Sequence, residues 1–245
     1  MPSTLIDRPS PNFGPRRAEA PRITMLVLHY TGMPSASDAL ARLCDPATAV
    51  SAHYLVDEDG TTYRLVAEDK RAWHAGVSFW RGVRDVNSAS IGIELVNPGH
   101  AFGYREFPAA QIDTLASLAG DIVRRHGIAP WNVAGHSDIA PGRKQDPGEL
   151  FPWAALAARG VGLWPSPGAP LIDPGALFKS LSAIGYAVPG GAGADILPST
   201  EPGAAVIAAF QARFRPVRAD GVADAETRAQ IAAVLAEIGR GSSVV

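Results

Sequence analysis

The chain has 245 residues, 47% of them hydrophobic and 19% charged, with a formal net charge of -2. That length suits one large domain, or a main domain with a small companion. The near-neutral balance excludes a polybasic surface for nucleic acid or membranes, and the single cysteine, Cys44, excludes an intrachain disulfide.

Residues 1–22 carry five prolines and little periodicity, which predicts an extended arm on the domain surface. The segment lacks the apolar centre of a signal peptide. No run in the chain approaches the roughly 18 apolar residues of a membrane span. The expected compartment is therefore the cytoplasm. ITMLVLHYT, from Ile23 to Thr31, is a continuous apolar run with β-branched residues and reads as a buried strand. Alternation puts Ile23, Met25, Val27 and His29 on one face. A histidine ending such a strand sits on a rigid element, as a metal ligand should. Alone, such a residue is more often a hydrogen-bonded core histidine. Ser35–Cys44 reads as a short helix with Cys44 as a buried structural thiol. SAHYLVDEDGTTYRLV predicts a hairpin around Asp59-Gly60.

Residues 67–87 are irregular and hold Trp73, His74, Phe79 and Trp80. Aromatic and polar residues mixed on a loop suit the rim of a ligand cleft. Ser90–Asn97 is a second apolar strand. Ile91, Ile93 and Leu95 share one face, which leaves Gly92, Glu94 and Val96 on the other. A carboxylate inside an apolar strand either pairs with a charge or works on a ligand. Pro108–His126 is the clearest helix, with Ile112, Leu115, Ala119, Ile122 and Val123 in a stripe and Gly127 as the stop. His126 complements the helix end and is no ligand candidate.

WNVAGH predicts a short strand that leads into GHSDIAPGRKQDPG, Gly135–Gly148. Its prolines and glycines argue against a regular helix and for a structured loop that aims polar groups at a target. His136, Lys144 and Asp146 lie on it. Zinc takes nitrogen from His and oxygen from Asp, and a catalytic zinc site uses three protein ligands with one open position. His136 and Asp146 supply two, so a third must come from elsewhere. FPWAALAARG then closes the domain with a short helix. Residues 165–175 form a Pro/Gly linker. Beyond it, three helical stripes follow: Leu177, Leu181 and Ile184; Val206, Phe210 and Phe214; and Ile231, Val234, Leu235 and Ile238. Asp224 is the expected N-cap of the last helix. The predicted division is an arm (1–22), a main domain (23–164), the linker (165–175) and a small helical domain (176–240). The last is near the lower size limit for independent folding, so it is expected to dock on the main domain.

Strands interleaved with helices predict an α/β domain with a central sheet. The motifs HYTG, SAHYLV-DEDGT, AWHAG, SIGIELVN and GHSDIAPGRKQDPG, in this order, resemble the zinc N-acetylmuramoyl-L-alanine amidases of the T7-lysozyme-like type over about residues 23–156. The tail, with AIGY, AFQARF and DGVADAET, resembles a three-helix peptidoglycan-binding domain. The resemblance implies a mixed central sheet flanked by helices, with the small three-helix domain appended. It implies zinc held by His29, His136 and Asp146, with Glu94 handling the proton and Lys144 the oxyanion. It also implies that His74 contacts the muramic acid or the stem peptide, with Trp73 and Asn87 as further substrate-binding residues; His53 is left to packing. Some relatives carry a cysteine ligand and a tyrosine for the proton, where this chain has Asp146 and Glu94. The implied activity is hydrolysis of the amide between N-acetylmuramic acid, or its anhydro form, and the L-alanine of the stem peptide. The implied partners are muropeptides, with no nucleic acid and no membrane, and the implied setting is cytoplasmic cell-wall recycling. The alternatives are a periplasmic amidase on intact peptidoglycan and a non-catalytic muropeptide-recognition protein. A zinc peptidase is disfavoured by the lack of an HExxH helix.

Overall fold

Two apolar strands, buried on both faces over most of their length, set the architecture. The computed structural model describes residues 5–18, 22–166 and 171–242. Its strands are β1 (Leu5–Asp7), β2 (Phe13–Pro15), β3 (Met25–Tyr30), β4 (Tyr54–Val56), β5 (Thr62–Arg64), β6 (Lys70–Ala72), β7 (Ser90–Leu95) and β8 (Val133–Gly135). Among the described residues they form a six-stranded sheet of order β1-β5-β4-β7-β3-β8 and a two-stranded sheet of β2 and β6. β4 and β5 make the expected hairpin and pair antiparallel. The β7–β3–β8 core and the β4–β7 pair are parallel, so the sheet is mixed.

The helices are α1 (Ala36–Cys44), α2 (Val86–Ala89), α3 (Gly99–Phe102), α4 (Ala109–His126), α5 (His136–Ile139), α6 (Trp153–Ala157), α7 (Leu177–Ile184), α8 (Pro202–Phe214) and α9 (Ala225–Ser242). α4 ends at Gly127 in the left-handed conformation, with three basic residues in its last turn, as expected of a helix C-terminus. His126 pairs with Glu68 at 2.6 Å, away from the site described below. Asp224 caps α9 by accepting from the Thr227 N–H at 2.9 Å. Cys44 is only partly buried, because it closes α1 at the surface; its thiol lies 3.6 Å from the Arg8 carbonyl.

One face of the sheet, with Leu26, Leu28, Ile91 and Ile93, packs under Leu115 and Ile122 of α4. The opposite face, with Met25, Val27 and Ala134, packs against Leu181, Phe210 and Ile231 of the C-terminal helices. The tail and the sheet therefore share one core. Of the predicted linker, residues 167–170 lie outside the described residues.

The described part of the arm is extended and mostly exposed, as expected, and it is also paired. β1 extends the sheet edge beside β5, and β2 pairs with β6. Arg16 then reaches inward and donates to the carbonyls of Ser88 at 2.6 Å and Ser90 at 3.1 Å, and twice to Glu68 O. Burial lowers its guanidinium to about 10. Strands of three residues on an edge leave too short a pattern to read from sequence.

The shared core generates a prediction. Phe210→Ala should cost about 3–5 kcal/mol and lower the midpoint of a single calorimetric transition that covers both sheet and tail. A separate early transition for the helices, with the main one unmoved, would contradict the coupling.

Candidate metal centre

Strand register brings the polar residues together. His29 of β3 is the Cα partner of Glu94 on β7, and both project from the face that carries Met25 and Val27. β8 runs beside β3 on the other side and delivers His136 at its end. From there α5 turns the chain. A helix is absent from most of Gly135–Gly148, but its first residues do form one turn. The Asp138 carboxylate accepts the Gly135 N–H at 2.8 Å, and the helix-breaking Pro141 comes only after the turn is complete. The loop then returns, and the Ser137 N–H donates to the Asp146 carbonyl at 2.8 Å. The two ends of the loop are so tied that His136 and Asp146 face His29.

The three side chains form a tight buried triangle. His29 Nδ1 lies 3.0 Å from His136 Nδ1 and 2.9 Å from Asp146 Oδ2, and His136 Nδ1 lies 3.1 Å from the same oxygen. The tautomers follow from the outer contacts. Ser90 Oγ–H donates to the Val86 carbonyl at 2.6 Å, so the Ser90 oxygen accepts from His74 Nε2–H at 3.2 Å. Neutral His74 then accepts at Nδ1 from His29 Nε2–H at 3.1 Å. His29 Nδ1 is left with a lone pair. Likewise His136 Nε2–H donates to the Ala75 carbonyl at 3.0 Å and leaves its Nδ1 lone pair facing inward. Two imidazole lone pairs and a carboxylate oxygen thus point at one another, which is unfavourable without a cation between them. Donor atoms 2.0–2.1 Å from a tetrahedral zinc stand about 3.3 Å apart. The triangle needs to open by only a few tenths of an ångström, so the residues present fit such an ion.

The ionisation states agree with ligation. Burial, with His136 next, lowers His29 to about 4. Burial pushes the Asp146 carboxyl up, but His136 and His29 beside it dominate and hold it far below the usual carboxylate range. Glu94 behaves oppositely: burial, and then the charge of Asp146, push it well above its ordinary value, with Lys144 opposing. Its Oε2 is buried and has no hydrogen-bond partner among the described residues. Glu94, Lys144 and the triangle line a cleft of about 430 Å³.

The residues expected at the substrate divide. Trp73 lines the cleft and is partly exposed. His74 also lines the cleft; its ring lies behind His29, and both its nitrogens are engaged by His29 and Ser90. It stacks so closely on β7 that a Cβ on Gly92 would come within 2.5 Å of the ring. Asn87 is buried, and its side-chain oxygen accepts the N–H groups of His74 and Ala75 at 3.0 and 2.8 Å, which shapes the loop. His53 is fully buried and accepts the Gly92 N–H at 2.9 Å, as packing requires. Sequence reasoning missed Ser90, the Ala75 carbonyl and Arg143, which donates to that same carbonyl at 2.8 Å. No local pattern marks them, since each acts across the fold.

The sequence pattern of the N-acetylmuramoyl-L-alanine amidase family matches residues 19–149. The chain belongs to this family and is an amidase. Among its relatives is AmiD of Escherichia coli, 42% identical over 253 aligned positions that span 92% of this chain and 87% of that protein. The structure of E. coli AmiD in complex with anhydro-N-acetylmuramic acid-L-Ala-D-gamma-Glu-L-Lys matches with TM-score 0.78 at 41% identity, over 91% of this chain and 92% of its own. AmpDh3 of Pseudomonas aeruginosa matches with TM-score 0.80 at 34% identity, over 89% of this chain and 93% of its own. Both likenesses extend across the C-terminal helices as well as the sheet.

The buried histidines set an acid dependence. Burial lowers His53 to about 3 and His74 well below its ordinary value, as it does His29. An unfolded chain takes up protons on these groups below about 6.5, where the folded one does not, so stability rises with pH through that window. Glu94, with its raised value, works the other way, but it is one group against three. The thermal midpoint of the metal-free protein should therefore fall as pH is lowered from 7 to about 4.5. A flat or rising midpoint would contradict this.

Proposed function

We propose that the protein is a zinc-dependent amidase that hydrolyses the bond between N-acetylmuramic acid, in its anhydro form, and the L-alanine of the stem peptide. His29, His136 and Asp146 are the metal ligands. Support comes from the buried triangle of three lone-pair donors with Glu94 one strand away, at the floor of a cleft, in a chain of this family. Zinc, when bound, lowers the pKa of water toward about 7 and polarises the amide carbonyl.

The chain's own residues do the rest. Glu94 accepts the proton of the attacking water and delivers it to the leaving amine of L-alanine. Burial raises its proton affinity, which favours taking up that proton from the water. Lys144 places a cation on the same cleft and stabilises the oxyanion of the tetrahedral intermediate. His74, Ser90 and the Ala75 carbonyl hold the two imidazoles in the ligating tautomers. Trp73 contributes an apolar wall for the substrate.

Anhydromuropeptides are the substrates of the recycling reading; the AmiD and AmpDh3 structures were solved with such ligands. Recycling of released fragments assigns the enzyme to the cytoplasm. Among the described residues, no helix is long and apolar enough to cross a membrane.

Three measurements test this reading. His136→Ala and Asp146→Ala should each lose stoichiometric zinc, measured on the purified protein; full zinc in both would refute the ligand assignment. Glu94→Gln should bind zinc normally yet lose about 10²–10⁴-fold in turnover of anhydromuropeptide. Retention of more than about a tenth of the parent rate would make Glu94 merely structural. Fractionation of cells, together with rates on soluble anhydromuropeptides and on intact sacculi, tests the recycling assignment. A periplasmic location or faster release from sacculi would overturn it.

A further inference from the structure

α5 is a single turn, too short to hold itself, yet it carries His136 and opens the loop that ends at Asp146. Its anchor is Asp138, two residues after His136 and only 1% exposed. Asp138 Oδ2 accepts from Gly135 N–H at 2.8 Å and from Arg213 Nη1 at 2.8 Å. Asp138 Oδ1 accepts from the Tyr186 hydroxyl at 2.5 Å. Arg213 belongs to α8, and Tyr186 follows α7. Both are buried, at 3% and 0% exposure. The C-terminal helices therefore send a cation and a hydroxyl into the base of the loop.

A second contact converges on the same place. The Arg213 guanidinium lies 4.3 Å over the Trp153 ring and 4.7 Å from that of Phe214. Trp153 in turn packs against Gly135, where a Cβ would meet its ring at 3.3 Å and Pro147 at 2.7 Å. Gly135 immediately precedes His136, and Pro147 immediately follows Asp146. Arg213 thus supports the layer that flanks both residues, besides holding Asp138. A merely adhesive contact between tail and sheet needs only the apolar core described above. This buried, directional pair is set under the ligand loop.

We propose that Tyr186 and Arg213 are positioning residues, through which the C-terminal helices fix α5 and hence the mutual placement of His136 and Asp146. The tail is then a working part of the hydrolytic site. The inference rests on the metal reading above. Outer partners of a metal site typically change metal affinity 10–100-fold when removed.

The test is zinc affinity, measured by competition with a chromophoric chelator, on the full-length parent, Tyr186→Phe and Arg213→Met. Folding is checked by near-ultraviolet circular dichroism. The visible absorption of cobalt bound in place of zinc reports the ligand geometry. The parent should bind one zinc; if it binds none, the metal reading fails, and this proposal with it. With the parent binding, Tyr186→Phe should fold as the parent does but bind zinc about tenfold more weakly, with an altered cobalt spectrum. Arg213→Met should show a larger change. Tyr186→Phe removes a single oxygen and decides the matter alone if Arg213→Met does not fold. Variants that fold, bind zinc as tightly as the parent and give the parent's cobalt spectrum would overturn the proposal and leave the metal reading intact.

Discussion

Parallel pairing of β3 with β7 decides which face of the sheet carries the chemistry. His29 and Glu94 are partners in that register, and side chains alternate strictly along both strands. A slip of one residue would turn His29 into the apolar layer beneath α4 and bring Leu28 to the cleft. The packing of Leu26, Leu28, Ile91 and Ile93 under α4 opposes such a slip, since the slip would bury the His29 ring without a polar partner among them and set Leu28 against the polar cleft. Each of these apolar side chains contributes about 1.5–3 kcal/mol by leaving water. The polar cluster depends on this apolar layer, which lies on the opposite side of the sheet.

What holds the cluster from behind comes from both ends of the chain. Arg16, in the N-terminal arm, binds the carbonyls of Ser88 and Ser90, and Ser90 orients His74 behind His29. Arg213 and Tyr186, far along the chain, bind Asp138 behind His136. Arg16 is met by carbonyls and Arg213 by the Asp138 carboxylate and the faces of two aromatic rings, which offsets the cost of taking these charges out of water. The unfavourable convergence of three lone pairs is thus imposed by a surrounding shell with little freedom to relax.

His29, His136, Asp146, Glu94 and Lys144, which the fold brings to one cleft, were legible because each sits in a short motif whose neighbours are themselves distinctive. His29 ends an apolar run, Glu94 interrupts one, and the remaining three share a single loop. The central strands and α4 were legible from periodicity. The arm was not, since β1 and β2 are three residues long and gain their meaning only from the edges they meet. The aromatic loop suggested a cleft rim, and Trp73 and His74 do line the cleft; the link of His74 to His29 and Ser90 was hidden, because it depends on the approach of that loop to β7. The one-turn helix α5 was hidden by prolines that begin just after it ends.

Gly92 carries a consequence for how this chain can vary. The His74 ring occupies the space above it, and any side chain there would collide with that ring. The two positions therefore behave as one heritable character. A lineage that enlarges Gly92 must shrink or move His74 in the same step, and so give up the link from Ser90 to His29. Drift at a strand position that touches no substrate is in this way forbidden by the orientation of an imidazole one layer above it.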